Sequence, residues 1–141
     1  MLTRDLRIEL LAAAPRQDLL DLADHILKRP VTPVILLGPE VGLVMMQVRE
    51  PVCEERFFLG EVLVTRAEVA LSGTHGWAMR MGEDREATLA AAILDAEAER
   101  HGDATDRIVG LCFAVKDNLR MSREREWAEI APTEVRFDVI D

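Results

Sequence analysis

Three histidines and two cysteines are the side chains best equipped for metal or nucleophilic chemistry in this 141-residue chain. His25 stands on a helical stretch beside Asp21 and Asp24. That set could hold a metal weakly on one helix face. The same pattern describes a solvated face, and the composition favours that reading. His75 falls in a turn, and His101 at the end of a helix, where an imidazolium is a favourable contact for the helix dipole. Neither shares a ligand-like spacing with another His or Cys. Cys53 is followed by Glu54 and Glu55, and neighbouring carboxylates disfavour the thiolate that a nucleophile needs. Cys112 lies on the apolar face of a helix and reads as a core residue. Gly42, Gly60, Gly73 and Gly76 form neither GxGxxG nor a P-loop, and neither GxSxG nor HExxH occurs.

The most suggestive polar group is Glu54-Glu55-Arg56, just before Phe57 and Phe58. Arg56 could grip a phosphate or a carboxylate, with the two phenylalanines as anchors. Arg49 and Arg66 are the next candidates for a ligand. The competing reading is a local Arg–carboxylate pair at a strand start followed by two core phenylalanines. Such pairs are common and their net effect is small, which favours it. Trp77 and Trp127 read as core or interface residues rather than substrate contacts. No residue qualifies as catalytic and none as a metal ligand.

Composition narrows the classes further. With 49% hydrophobic and 30% charged residues, the chain is ordinary for a soluble globular protein. Its length suits one domain, residues 1–141. No apolar run is long enough to span a membrane. Charges interrupt the N-terminal apolar stretch, which excludes a secretory signal. Two cysteines without CxxC spacing point to the cytoplasm. A net charge of −9 argues against nucleic acid and anionic membranes, both of which need Lys and Arg. It also argues against a self-contained triphosphate site. Tyrosine is absent, so stacking platforms are scarce.

The elements that must position these residues follow from periodicity. Thr3 to Ala13 predicts a helix capped by Thr3, with Leu6, Leu10, Leu11 and Ala13 inward. Pro15 to Arg29 predicts a second, with Leu19, Leu22, Ala23, Ile26 and Leu27 in helical period. Val34 to Leu37 and Gly42 to Arg49 read as two strands of a hairpin turned at Gly38-Pro39-Glu40. Phe57 to Leu71 reads as a long strand bent at Gly60, with Thr65, Ala67, Val69 and Leu71 sharing a face. His75 to Met81 is a further strand. Asp84 caps a helix whose buried face is Leu89, Ala92, Ile93 and Ala96, and which Gly102 ends. Asp106 to about Ala128 is a second long helix, densely charged in its last third. Thr133 to Ile140 alternates as a closing strand, with Val135, Phe137 and Val139 on one face. The fold class is α+β: an antiparallel sheet of about four to five strands, an N-terminal helical pair, two long C-terminal helices and the closing strand. Residues 106–141 form a candidate docking arm, or one exchanged between copies.

Several of these segments resemble a known family. Gly42-Leu43-Val44 leads to Gln47-Val48-Arg49. Glu55-Arg56-Phe57-Phe58 precedes Gly60-Glu61, and Leu63-Val64-Thr65-Arg66-Ala67 follows. Gly76-Trp77, Gly82, Asp84-Arg85, Ala91-Ala92 and Asp95-Ala96 continue the likeness, with an echo at Thr133, Val135 and Phe137. Together they resemble PhnG, the G-subunit family of the bacterial carbon–phosphorus lyase system. Asp138 departs from the pattern, where that family has a second Phe.

The resemblance implies a subunit of the core complex that breaks down phosphonates. The first step there is displacement of adenine from MgATP by an alkylphosphonate, giving ribose 1-alkylphosphonate 5-triphosphate. The I subunit carries that chemistry, with G, H and L proteins required beside it. The implied partners are the I, H and J subunits. No cofactor is expected on this chain, and MgATP is a substrate of the complex. Arg56, Arg49 and Arg66 are the residues expected to reach a ligand if any do. Phe57, Phe58, Trp77, Trp127 and Phe137 are the expected interface. The rival reading is a free-standing small-molecule binding module or weak hydrolase with a site near His75 and Trp77.

Overall fold

The computed structural model describes residues 2–133. Two helices come first, α1 (Arg4–Ala13) and α2 (Arg16–Leu27). Three strands follow, β1 (Pro33–Arg49), β2 (Arg56–Leu71) and β3 (Thr74–Met81). Then come α3 (Arg85–Glu99), α4 (Thr105–Ile130) and a 3-10 turn, Ala131–Thr133. The strands form one antiparallel sheet in the order β1-β2-β3. The class is α+β as the periodicity predicts. The sheet has three strands among the described residues, fewer than the four to five expected. Thr133 ends the 3-10 turn instead of opening a strand. The rest of the expected closing strand, Phe137 included, lies outside the described residues.

The expected hairpin at Gly38 does not form. Pro33–Arg49 is one strand, and both of its halves pair with β2. The Gly38-Pro39 step is absorbed as an irregularity in register between Leu37 and Glu40. Gly38 has φ +80, open to glycine, and a Cβ there would run into the Glu40 amide and the Arg66 carbonyl. A turn signal thus serves as a bulge, because β2 is long enough to pair across it. A further shift precedes it between Ile35 and Leu37, and a third irregularity, between Met46 and Gln47, lies opposite Gly60, where the bend was expected.

The helices cover one face of the sheet. Thr65, Ala67, Val69 and Leu71 of β2 and Gly76 and Ala78 of β3 are buried beneath α3. Alanine and glycine there let the α3 backbone lie close on β3. α3 is enclosed from Ala87 to Ala98 on every side except at the half-buried Leu89, since α1, α2 and α4 pack over it. This is wider than the one-face burial its period suggests. Arg7 of α1 and its C-cap Ala14 are buried and Ala13 is exposed, which shifts the expected inward face.

Caps follow the sequence with one change of reason. Thr3 accepts from the Leu6 amide and Asp84 from the Ala87 amide. The left-handed residue that ends α3 is His101, φ 54, and the amide of Gly102 donates to the Glu97 carbonyl at 3.0 Å. A Cβ at Gly102 would meet the Glu97 carboxylate, which would have to shift from its bond to the Ala104 amide.

Candidate interaction surface

β1 and β2 outrun β3. The last β3 rung is Val64–Met81, while the β1–β2 ladder continues to Arg49–Arg56. A two-stranded ribbon therefore projects past the three-stranded region by roughly 25 Å, at ~3.3 Å per residue. Both faces are largely apolar, with Glu61 opposite Met45 and Gln47 opposite Phe58 as polar exceptions. Val44, Met46 and Val62 alternate onto the open side of the sheet. Leu43, Met45 and Leu63 point to the helix side, beyond the helices' reach. Leu43 is 61% exposed, Met45 59%, Phe58 61% and Leu59 63%. An antiparallel ribbon meant to face water on one side would alternate polar residues there.

The arginines singled out from sequence do not converge. Arg49 and Arg56 sit opposite each other at the ribbon's far end. Arg66 is ten positions further along β2, roughly 30 Å away at the strand rise. There it pairs with Glu40 at 2.6 Å. Arg56 makes no ion pair among the described residues, so the local Arg–carboxylate pair does not form. Phe57 and Phe58 are exposed, so they are not core either. The loop between the strands is braced by Glu50, whose carboxylate accepts from the amides of Val52 (2.7 Å) and Cys53 (2.6 Å). Those two donors hold the Glu50 carboxyl below the usual carboxylate range.

The remaining candidates scatter. His75 faces Glu68 at 3.6 Å, and Trp77 is half-buried on the open sheet face. Trp127 is exposed near the end of α4. His25 lies 3.3 Å from an Arg29 nitrogen. Among the described residues no group of three or more His, Cys, Asp or Glu is placed to hold a metal. No helix there is long and apolar enough to cross a membrane. Cys112 is buried, and its thiol is pushed up to about 11 by desolvation.

Two clefts stand out. One of about 310 Å³ lies on the open sheet face around the Glu40–Arg66 pair, walled by Val44, Val64 and Met79. A larger one of about 620 Å³ runs between α1 and α4.

Sequence reasoning missed the ribbon's other exposed residues, Leu43, Met45, Leu59 and Leu63. The available signal was apolar residues in both phases of the alternation. It also missed Asp95, fully buried on α3. Asp95 accepts from Arg4 at 2.9 Å, from Arg7 at 2.8 Å and from the Trp77 amide at 3.1 Å. Arg7 also reaches Glu99 at 2.5 Å. A lone Asp in an Ala-rich helix, with Arg at i and i+3 in α1, was the only hint.

A family model described as phosphonate metabolism protein PhnG matches residues 2–140.

Proposed function

The chain belongs to the PhnG family of phosphonate metabolism proteins, and we propose that it acts there as an accessory subunit of a carbon–phosphorus lyase core complex. Its partners in this reading are the I, H and J subunits, with a functional link to the L protein, in the cytoplasm. It is required for displacement of adenine from MgATP by an alkylphosphonate. In that step the glycosidic C–N bond breaks and a C–O bond to the phosphonate forms. This chain binds no cofactor of its own, and MgATP is the substrate of the complex. Arg56 and Arg49 are its nearest residues to any ligand, at the ribbon tip.

The observation that carries the proposal is the ribbon largely apolar on both faces. A free two-stranded ribbon is marginal in water. Each large apolar side chain that a partner covers contributes roughly 1.5–3 kcal/mol. Exposed patches of this kind mark protein interfaces. From Arg120 to Ile130 every residue of α4 is exposed, which supports a second docking element. Without its partners the arm of residues 106–141 exchanges between two copies, and a purely monomeric, compact species in solution scattering would count against that exchange.

The test is adenine release from MgATP plus methylphosphonate by the cognate I, H and L proteins, with and without this chain. Release should require the chain. Phe58→Asp should lose co-purification and adenine release together, while stability stays within about 0.5 kcal/mol, as for a surface substitution. Unchanged release without the chain would sink the proposal.

A further inference from the structure

The sheet ends in two edge strands, β1 and β3, and they are guarded differently. The Gly82 amide donates to the Leu63 carbonyl at 2.8 Å, so Leu63, and Thr65 in the same phase, turn their main chain toward β3. In that phase His75 and Trp77 of β3 turn theirs outward. Both are engaged. The His75 carbonyl accepts from Arg4 at 3.2 Å, and the Trp77 amide donates to Asp95 at 3.1 Å. Side chains from α1 and α3 thus close the start of the β3 edge to an added strand.

The β1 edge has no such guard. Val41 and Leu43 stand opposite Thr65 and Leu63, so their amides and carbonyls point away from β2, and Met45 follows in phase. Among the described residues no hydrogen bond reaches those outward groups. From Val41 to Val48 the strand carries neither a charge nor a proline, two devices that keep an edge from pairing. The chain holds a segment that matches this edge. Thr133 to Ile140 puts Val135, Phe137 and Val139 in one phase and Glu134, Arg136 and Asp138 in the other. All but Thr133 lie outside the described residues. As a strand the segment would cover about 26 Å, as Val41–Val48 does, at ~3.3 Å per residue. Its apolar phase would lie beside Leu43 and Met45, with its charged phase in water. What carries it is α4, exposed at every residue from Arg120 to Ile130. Neither α4 nor the turn after it makes substantial contact with a strand. α4 packs on α1, and α1 on β3, the edge opposite β1. The segment therefore starts away from the β1 edge of its own chain.

We propose that residues 133–140 add as a strand to the β1 edge, along Val41–Val48, of a second copy of this chain, which returns the same contact. The inference rests on the arm exchange above and names the surface that receives the arm. It engages main-chain groups on the edge and leaves the faces of the ribbon to other partners.

The experiment follows amide hydrogen exchange and mass in solution on the isolated full chain. It should be a dimer. The double variant Val135→Asn with Phe137→Asn should be a monomer, and its Val41, Leu43 and Met45 amides should exchange at least about tenfold faster. Leu43→Pro removes one outward donor and keeps the bonds to β2, the setting in which an edge strand tolerates proline. It too should be a monomer with a fast Met45 amide, while slow Gly42 and Val44 amides report that its sheet is intact. Slow Leu43 and Met45 amides in a monomer would place the segment on its own chain and overturn the inference. A dimer that survives both variants would also overturn it, as would protection that appears only when the I, H and J subunits are added. If the isolated chain is an unprotected monomer and adenine release still requires it, the strand exchange falls and the subunit reading stands. A protected dimer with release independent of this chain does the reverse.

Discussion

Asp95 ties α1, α3 and β3 together with one carboxylate, taking Arg4, Arg7 and the Trp77 amide. Its side chain is fully buried, and that of Arg7 is only 9% exposed. Removing one member of such a buried set leaves an uncompensated charge. Asp95→Ala should therefore lower unfolding free energy by about 3–5 kcal/mol in urea titration. Alanine at the exposed Arg16, which meets Asp84 and Glu86, should shift the urea midpoint far less than Asp95→Ala does, because solvent screens that pair. Cys112 gives a pH dependence of known sign. Burial holds its folded thiol at about 11, whereas the unfolded thiol ionises near ~8.5. The folded-state pKa is raised, so this contribution is intact below the unfolded value and is lost as pH climbs from about 9 to 11. Across that range the wild type should lose about 2–3 kcal/mol more than Cys112→Ala, measured by denaturation at each pH.

The element that governs packing is α3, whose small residues let it sit directly on β3. At Gly76 a Cβ would overlap the Ala92 carbonyl oxygen and the Ala96 amide nitrogen. Both obstacles are backbone and cannot rotate away. Gly76→Ala should cost about 3 kcal/mol or more, at or beyond the usual range for overpacking, and lower Tm accordingly. The α3 termini add to this rigidity. Asp84 caps the first turn, and Arg16 beside it holds the Asp84 carboxyl below the usual range. Glu97, 1% exposed, accepts from the Ala104 amide and so caps the start of α4. Periodicity showed α3 as a helix and Asp84 as its cap, because both are local matters of spacing and one hydrogen bond. It did not show that α3 is enclosed on nearly all sides, since that depends on α1, α2 and α4 arriving over it.

At the scale of the whole molecule, a helix-covered sheet carries an uncovered ribbon at one end and an exposed stretch of α4. The charge of −9 keeps such a surface soluble without closing it. In the proposed complex a partner covers the ribbon, and the apolar residues in both phases of its alternation are what it would bury. Spacing and motifs along the chain were enough for the four helices, the Thr3 and Asp84 caps, the irregularity at Gly60, the inward face of β2 and the family. Each of these is written in spacing along one segment or in a local motif. That Pro33–Arg49 is one strand emerges from long-range pairing with β2 and not from local pattern. Gly38 and Pro39 read as a turn until a partner strand of sixteen residues is seen to pair across them. Tertiary structure also decided that Phe57 and Phe58 face solvent, because β3 stops at Met81 and, among the described residues, leaves that end of β2 paired with β1 alone. Burial of Asp95 was decided the same way, by arginines some ninety residues distant in sequence. A chain's local pattern specifies which face of an element is apolar; what comes to cover that face is a property of the assembled fold.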